Sequence, residues 1–172
     1  AKHTNNLIIF GGINPKNSQV SMGGSTEHDV AEQFKNFKRL QKNMVSISPQ
    51  QDDSPKETNW LPIIPGTDMA LMLAIAYVLE TENLADQMFL DTHSAGYQVF
   101  KKYFLGTDGH SAKTPEWASL ETGIDASQIR DLARNMASGR TLICVSWSLQ
   151  RARYGEHPCL LYTSDAADDE TS

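Results

Sequence analysis

The sequence has little cysteine, no long hydrophobic run and no excess of basic residues. Its two cysteines, Cys144 and Cys159, are too few for a disulfide framework or a metal cluster. The longest apolar run, residues 69–79, is eleven residues long, whereas a helix needs about 20 residues to cross a bilayer. With 15 Lys and Arg against 21 Asp and Glu, the chain lacks the basic footprint of a nucleic-acid-binding protein. We therefore expect no membrane insertion, no nucleic-acid partner and no metal held by the cysteines or by the five scattered histidines.

The two ends of the chain need separate interpretation. Residues 1–6 lack the apolar core of a signal peptide and lead directly into an apolar segment, so we expect an internal piece of a larger protein. Residues 159–172 are similar to the translation of a sequencing adapter, a recurrent contaminant of assembled reading frames. We therefore treat 159–172 as a non-native tail, expected to be disordered, and 1–158 as the domain. Leaving out the four acidic residues of that tail changes the formal net charge from −6 to −2, so little acidic bias remains to interpret.

A short apolar segment followed by two glycines is the first feature that suggests a function. Residues 7–10 are four consecutive apolar residues, typical of a buried strand, and residues 11–18 form a polar loop that begins Gly11-Gly12. Glycines let a backbone approach a ligand closely, and the Asn, Ser and Lys side chains of this loop suit a diphosphate. Loops at the carboxyl ends of strands are where open α/β sheets bind nucleotides. The alternative is an ordinary turn after a strand.

Further segments complete a predicted sheet. Helical spacing over residues 30–42 and alternation over residues 44–48 make one β-α-β unit with the first strand, and such units build parallel sheets. After a loop at 50–59, residues 60–64 are a third apolar run, and residues 140–145 are a final buried-strand candidate. The predicted fold class is therefore α/β: a Rossmann-like open parallel sheet with flanking helices, as an incomplete domain of a larger protein.

The helix predicted over residues 69–79 is apolar almost all round, so we expect it in the interior of the parent protein. Thr67 and Asp68 stand at its start, where an N-cap and an acidic first turn are favourable. One interpretation is that both residues only cap the helix. The other is that they face a ligand.

Capping residues mark the other helices. Asn83 is expected to cap a short helix that reaches Asp91, and residues 96–105 form a mixed aromatic segment ended by Gly106. Thr114 before Pro115 predicts the start of one helix. Asp125 with Gln128 predicts a capping box at the start of the last helix, and Gly139 predicts its end.

The densest polar cluster, residues 146–157, follows the last predicted strand. Trp147, Gln150 and Arg151 are candidates for the wall of a ligand site, with Arg151 donating to an oxyanion. The alternative is a surface helix with an aromatic anchor. Because three predicted strands end in polar loops, we expect those loops to meet in one crevice.

Five segments carry a resemblance to a known family. They are GGINPKNS (11–18), IPGTDMALMLAIAYVLETENL (64–84), KTPEWA (113–118), SWSLQR (146–151) and YGEHP (154–158). In order and spacing they resemble the molybdopterin oxidoreductases, and within them the dimethyl sulfoxide, trimethylamine N-oxide and biotin sulfoxide reductases. The resemblance runs from about Leu7 to Pro158 and concerns an internal part of a much longer protein.

The resemblance implies a bis(molybdopterin guanine dinucleotide) molybdenum cofactor, with this α/β segment holding one guanine dinucleotide half. It implies that Trp147 and Arg151 lie in the active-site funnel near the oxo-transfer centre, that Gln150 lies beside the pterin, and that Asp68 accepts hydrogen bonds from guanine. Ser146 stands where the group commonly has glycine, beside the cofactor. The other residues that it implies near the phosphates or sugar are Gly12, Asn14, Ser18, Ser48, Gln50, Gly66 and Thr67.

The same resemblance implies parts that lie outside this chain. The serine that ligates molybdenum would lie before Ala1, and the second dinucleotide site would lie after Pro158. The hypothesis is therefore a fragment of a reductase of S-oxides or N-oxides, inactive alone, whose parent takes a small oxide substrate and an electron-donor protein in the periplasm or cytoplasm of a bacterium. The alternatives are a non-catalytic nucleotide-binding α/β module, such as the central domain of a thiamine enzyme, and a truncated product that does not fold because helix 69–79 is uncovered.

Overall fold

A computed structural model of the chain describes residues 3–14, 30–40 and 42–157. Its centre is a sheet of four parallel strands in the order β3-β2-β1-β4. The strands are β1 (Asn6–Phe10), β2 (Asn43–Ser48), β3 (Asn59–Pro62) and β4 (Thr141–Val145). The predicted α/β class with a parallel sheet and flanking helices is confirmed. The predictions for Ser18 and for the tail 159–172 lie outside the described residues.

Strands β1 and β2 are the inner strands of the sheet, and the four consecutive apolar residues 7–10 of β1 suit a strand that is covered on both faces. All five of its residues are buried. Its register places Phe10 beside Ile47 of β2 and Val145 of β4. The outer strand β3 ends in Pro62, which has no backbone N–H to donate. An edge strand tolerates proline because it is hydrogen-bonded to a neighbouring strand on one side only. The strand predicted at 60–64 therefore ends two residues earlier.

One face of the sheet is covered by α1 (Val30–Arg39). Phe34 and Phe37, one helical turn apart, pack with Leu7, Ile9 and Met44 of the sheet. The helix predicted to reach residue 42 ends at Arg39, and Leu40 is 45 % exposed.

The opposite face carries the larger core, formed by α2 (Asp68–Thr81), α5 (Pro115–Thr122) and α6 (Ala126–Ala137). The apolar helix predicted at 69–79 is α2, and α4, α5 and α6 pack against it. The chain itself therefore covers this helix, contrary to the expectation that its apolar surface lacks neighbours here. The shared core consists of Ile8, Phe10, Ile47, Ile63, Leu71, Ala74, Ile75, Val78, Ala118, Ile124, Ile129, Leu132, Ala133 and Leu149.

Two short helices, α3 (Gln87–His93) and α4 (Tyr97–Leu105), lie outside this core. The expectation that Asn83 caps α3 is wrong. Asp86 is the cap and accepts from Phe89 N at 3.0 Å, whereas Asn83 has a φ of 56° just after α2. Asn tolerates the left-handed conformation in which many helices end. The helix extends to His93, beyond the predicted end at Asp91.

The caps of α5 and α6 are as predicted. Thr114 accepts from Trp117 N with Pro115 in the first turn, and Asp125 and Gln128 form a capping box. Gly139 does not end α6 as predicted, because the C-cap of the helix is Ser138, which has a right-handed conformation. An added Cβ on Gly139 would come within 3.1 Å of Asn5, so close packing explains the glycine there.

Within residues 3–14, 30–40 and 42–157, no helix has the length and apolarity that a membrane span requires. The same residues contain no group of three His, Cys, Asp or Glu side chains placed to hold a metal ion.

Candidate functional site

The loops that follow all four strands meet in a cleft of about 470 Å³. From β1 the chain turns to β2 and β3 on one side, while β4 lies on the other, so the strand order reverses beside β1. Ligands of open α/β sheets bind at such a point. Four predicted site residues line the cleft: Gln50, Gly66, Asp68 and Arg151. The other lining residues are Gly11, Pro49, Asp53, Pro65, Met69, Ser148, Leu149, Ala152, Arg153, Tyr154, Gly155 and His157.

The side of the cleft formed after β2 and β3 is acidic. Asp68, the first residue of α2, is only 8 % exposed. Burial raises the pKa of the Asp68 carboxyl above its ordinary value, and a backbone hydrogen bond opposes that shift. Asp53 stands nearby in the lining, and Asn14 Nδ2 donates to its Oδ1 at 3.4 Å. This side therefore offers carboxylate acceptors to a ligand that carries N–H or O–H donors.

The side formed after β4 is basic and aromatic. Arg151 and Arg153 line it together with Tyr154 and His157. Of these four, only Arg151 is predicted from the sequence. The signal for the others is the spacing of polar side chains, since Arg151, Arg153 and His157 fall within seven positions after a predicted strand.

Two glycines allow the loops to come this close together. Gly11 and Gly12 both have positive φ, 81° and 73°. A Cβ on Gly11 would lie 2.2 Å from Leu149 Cδ1, and one on Gly12 would lie 2.7 Å from the carbonyl oxygen of Asp53. At Gly12 both conformation and space favour glycine, because the obstructing atom belongs to the backbone. At Gly11 the nearest atoms are the ends of the Leu149 and Ser148 side chains, so the positive φ is the stronger reason for glycine there.

Ser48 lies beneath the cleft and not in its lining. Its hydroxyl donates to the carbonyl of Gln50 at 2.7 Å, and Trp60 Nε1 donates to the carbonyl of Ser48 at 3.0 Å. Ser48 and Ser54 hydroxyls are 3.1 Å apart. These contacts fix the start and end of the loop that carries Gln50 and Asp53.

Thr67 and Ser146 are likewise engaged with the backbone. Thr67 Oγ1 donates to the carbonyl of Ile64 at 2.7 Å and makes no capping bond to α2. Ser146 Oγ accepts from Ser148 N at 3.3 Å, and Ser148 Oγ donates to the carbonyl of Gly11 at 3.1 Å. The loops after β1 and β4 are thus joined by a side chain.

Trp147 and Gln150 belong to the short 3-10 helix Trp147–Arg151 but do not line the cleft. Trp147 is 66 % exposed, and Gln150 is also exposed. The alternative of a surface helix with an aromatic anchor differs from the structure, in which this segment is a 3-10 turn whose buried anchor is Leu149.

An open parallel sheet with helices on both faces and a ligand-sized cleft where the strand order reverses defines a protein of the doubly wound α/β class. Comparison with protein families is more specific, because the molybdopterin oxidoreductase model matches residues 3–159. The chain belongs to the molybdopterin oxidoreductase family. Membership implies a molybdenum–molybdopterin cofactor.

Curated relatives agree with this assignment. The chain is 35 % identical over 160 residues to a biotin sulfoxide reductase of Cereibacter sphaeroides, covering 92 % of this chain and 22 % of that protein. It is 37 % identical over 163 residues to a trimethylamine-N-oxide reductase of Vibrio parahaemolyticus, covering 91 % and 20 %. A probable dimethyl sulfoxide reductase chain of Escherichia coli K12 is 41 % identical over 167 residues, covering 87 % and 20 %. The chain thus spans about a fifth of the length of these relatives.

A solved structure supports the fold. Acetylene hydratase from Pelobacter acetylenicus superposes with a TM-score of 0.67 at 20 % identity, covering 98 % of this chain and 22 % of that one. At this identity the similarity concerns the fold alone.

Proposed function

We propose that this chain is part of a molybdenum-dependent oxidoreductase that reduces an S-oxide or an N-oxide, and that it holds one guanine dinucleotide half of a bis(molybdopterin guanine dinucleotide) cofactor. The relatives named as reductases of biotin sulfoxide and trimethylamine N-oxide support the reaction class. The observation that carries the proposal is the single cleft with an acidic and a basic side at the ends of all four strands.

The residues of the cleft fit a guanine nucleotide. Ligand pockets are typically about 300–1,000 Å³, and the volume of about 470 Å³ falls in that range. Guanine presents two neighbouring donors, the ring N1–H and the 2-amino group, which a carboxylate such as that of Asp68 accepts. A diphosphate requires cations, and the planar guanidinium of Arg151 donates to it in a fork. Gln50 and Gly66 complete the lining between these groups.

Other residues of the proposed site act by holding the loops. Gly12 lets its loop approach that of Asp53, and Ser48 fixes the same loop from below. Thr67 ties the turn before α2, while Ser146 and Ser148 join the loops after β4 and β1. We propose that these residues hold Asn14, Gln50 and Asp68 in place, because side chains that contact a ligand must be fixed by the residues around them.

The exposed 3-10 turn after β4 is the proposed link to the reaction. When bound, the cofactor supplies the oxygen-atom and electron transfer chemistry, and the protein supplies binding and orientation. Trp147 and Gln150 stand on the same turn as Arg151 but outside the cleft, so we assign Gln150 to the pterin and Trp147 to the wall of the substrate funnel. Arg151 lines the cleft, so we assign it to the diphosphate and not to the funnel position that the resemblance implies. The rest of the parent protein closes that funnel, and a donor protein delivers electrons.

The nucleotide part of the proposal is tested by thermal unfolding of the chain with guanosine diphosphate (GDP), inosine diphosphate and adenosine diphosphate. A ligand at 100 times its Kd stabilises the folded state by about 2.7 kcal/mol. We expect the Tm to rise most with GDP, less with the inosine nucleotide, which lacks the 2-amino group, and least with the adenosine nucleotide. Equal shifts with all three, or no shift, would contradict a guanine site.

The reaction class is tested on the longer protein encoded at the same locus, produced with molybdenum. We expect it to oxidise a reduced viologen dye with trimethylamine N-oxide or a sulfoxide as acceptor. The same protein produced with tungstate in place of molybdate serves as the control. Dye oxidation with neither acceptor would contradict the proposed reaction.

A further inference from the structure

Arg153 is held over an aromatic ring inside the cleft. Its guanidinium carbon lies 5.0 Å from the centroid of the Tyr154 ring, and its Nη2 donates to Tyr154 Oη at 3.1 Å. The ring of His157 stacks on Tyr154 at 5.7 Å between centroids and 11° between planes. All three side chains line the cleft. An arginine placed in this way loses less side-chain freedom when it binds an anion.

The backbone around this group adopts an uncommon conformation. Tyr154 has a φ of 60°, which is rare for a residue other than glycine. The next residue, Gly155, lies against the 3-10 turn, where an added Cβ would meet the carbonyl oxygen of Gln150 at 2.4 Å. Non-glycine residues in this region are strained and are concentrated at functional sites. The chain thus accepts strain at Tyr154, which lines the same cleft as Arg151 and Arg153.

Charge complementarity indicates which part of a ligand this wall takes. Arg151, Arg153 and His157 stand on one side of the cleft, and Asp53 and Asp68 stand on the other. Glu156 is the acid near the basic wall, with its Oε1 3.8 Å from His157 Nε2. Two arginines two residues apart match a diphosphate better than a single phosphate, since each can donate to a different phosphoryl group.

We propose that Arg153 is a second diphosphate-binding residue of the cleft and that the Tyr154 ring is its positioning residue. The proposal rests on the proposed function, because it specifies how the same cleft binds the diphosphate of its nucleotide. Arg153 contributes the charge, while Tyr154 holds the guanidinium in the plane from which it donates.

The test is calorimetric titration of the chain with GDP, guanosine and inorganic pyrophosphate. The variants are Arg153→Gln, Tyr154→Leu and Tyr154→Phe, and the matched control is Arg140→Gln on the exposed loop before β4. Circular dichroism and Tm confirm that each variant is folded. We expect Arg153→Gln to weaken GDP and pyrophosphate binding about tenfold, equivalent to about 1.4 kcal/mol, and to leave guanosine binding unchanged.

Tyr154→Leu is expected to weaken GDP binding to the same degree, and Tyr154→Phe to restore most of it, because the phenyl ring still supports the guanidinium. The salt dependence of GDP binding should also decrease in Arg153→Gln, since one charged contact is lost. If Tyr154 contributed only to folding, Tyr154→Leu would lower the Tm but would leave the salt dependence of GDP binding as it is in the unmodified chain.

The outcomes separate this inference from the proposed function. If Arg153→Gln binds GDP as Arg140→Gln does, or if the unmodified chain binds GDP no better than guanosine, the inference is wrong while the guanine site stands. If the unmodified chain binds neither GDP nor guanosine, the proposed function fails and this inference fails with it.

Discussion

Asp68 combines a structural cost with the binding role that we propose for it. As the first residue of α2 its carboxylate is favoured by the helix dipole, yet burial raises its pKa. The folded chain therefore binds the Asp68 proton more tightly than the unfolded chain does. The stability lost through this group is greatest at neutral pH. It is recovered as the pH falls through the raised pKa toward the ordinary value of 3.8, below which the carboxyl is protonated in both states. A residue that destabilises the protein without a ligand is a candidate for contact with one.

Asp68→Asn should therefore raise the free energy of unfolding at pH 7 by about 1 kcal/mol and abolish the preference for GDP over the adenosine nucleotide. The gain in stability should decrease as the pH is lowered toward and below the ordinary value of 3.8. Urea unfolding between pH 4 and pH 8 measures it, with Asp91→Asn on the exposed face of α3 as the control. A variant that keeps its guanine preference would remove Asp68 from the site.

Gly12→Ala and Gly66→Ala are a matched pair of variants that tests whether the close approach of the loops matters. Both glycines have positive φ, 73° and 79°, but only at Gly12 would a Cβ meet another loop, at the carbonyl of Asp53. Gly66→Ala thus measures backbone strain alone, about 1 kcal/mol. Gly12→Ala should cost about 1–3 kcal/mol more and weaken GDP binding, because the loop that carries Gln50 must move. Thermal unfolding and titration of both variants check this, and equal losses of stability would show that the contact with Asp53 is unimportant.

Among the elements, α3 and α4 depend on one carboxylate of α2. Glu80 accepts hydrogen bonds from Tyr97 Oη at 2.6 Å and Gln87 Nε2 at 2.9 Å, and it forms an ion pair with Lys101. No residue of α3 is buried and only Phe104 of α4 is. Polar contacts to Glu80 therefore contribute much of what fixes these helices.

Glu80→Gln should release that attachment. Burial acts to raise the pKa of Glu80, but the bonds from Lys101, Tyr97 and Gln87 outweigh it and lower the pKa. The resulting stabilisation is present above the ordinary value of 4.5 and disappears as the pH falls through the lowered pKa. We expect the variant to lose about 1 kcal/mol at pH 7, with faster amide exchange confined to α3 and α4. Glu121→Gln on α5 is the control, and uniform exchange across the chain would contradict the local attachment.

Prediction from the sequence succeeded where one local signal was sufficient. Continuous apolar runs located β1, β3 and β4, alternation located β2, and Thr114 with Pro115 located the start of α5. It failed where two residues compete for one role. Asn83 and Asp86 are both good caps, and the end of α2 takes Asn83 in a left-handed conformation, which leaves the cap to Asp86. At the site, the closely spaced Arg151 and Arg153 are visible in the sequence, but the placement of Arg153 over the Tyr154 ring is a feature that residue spacing does not reveal.

At the scale of the whole molecule, the described residues form a layered α/β structure with a buried core on each face of the sheet. The sheet has helices on both faces, and α2 is enclosed by α4, α5 and α6. The core cluster on the α2 face alone includes fourteen buried residues. We therefore expect the isolated chain to unfold cooperatively on heating, with coincident transitions by near- and far-ultraviolet circular dichroism. Far-ultraviolet signal without a near-ultraviolet transition would indicate a molten state and contradict the expectation.

A folded chain is nevertheless not expected to be an active one. The proposed reaction needs a substrate held in a closed site from which water is excluded, whereas Trp147 is 66 % exposed and Arg151 is exposed as well. One wall of the proposed funnel is not sufficient to position the oxide substrate against the cofactor for oxygen transfer. We expect the purified chain, incubated with molybdenum cofactor and reduced viologen dye, to show no oxide-dependent dye oxidation while it still binds GDP. The longer protein from the same locus is the positive control, and turnover of trimethylamine N-oxide by the chain alone would show that its own residues form a complete active site.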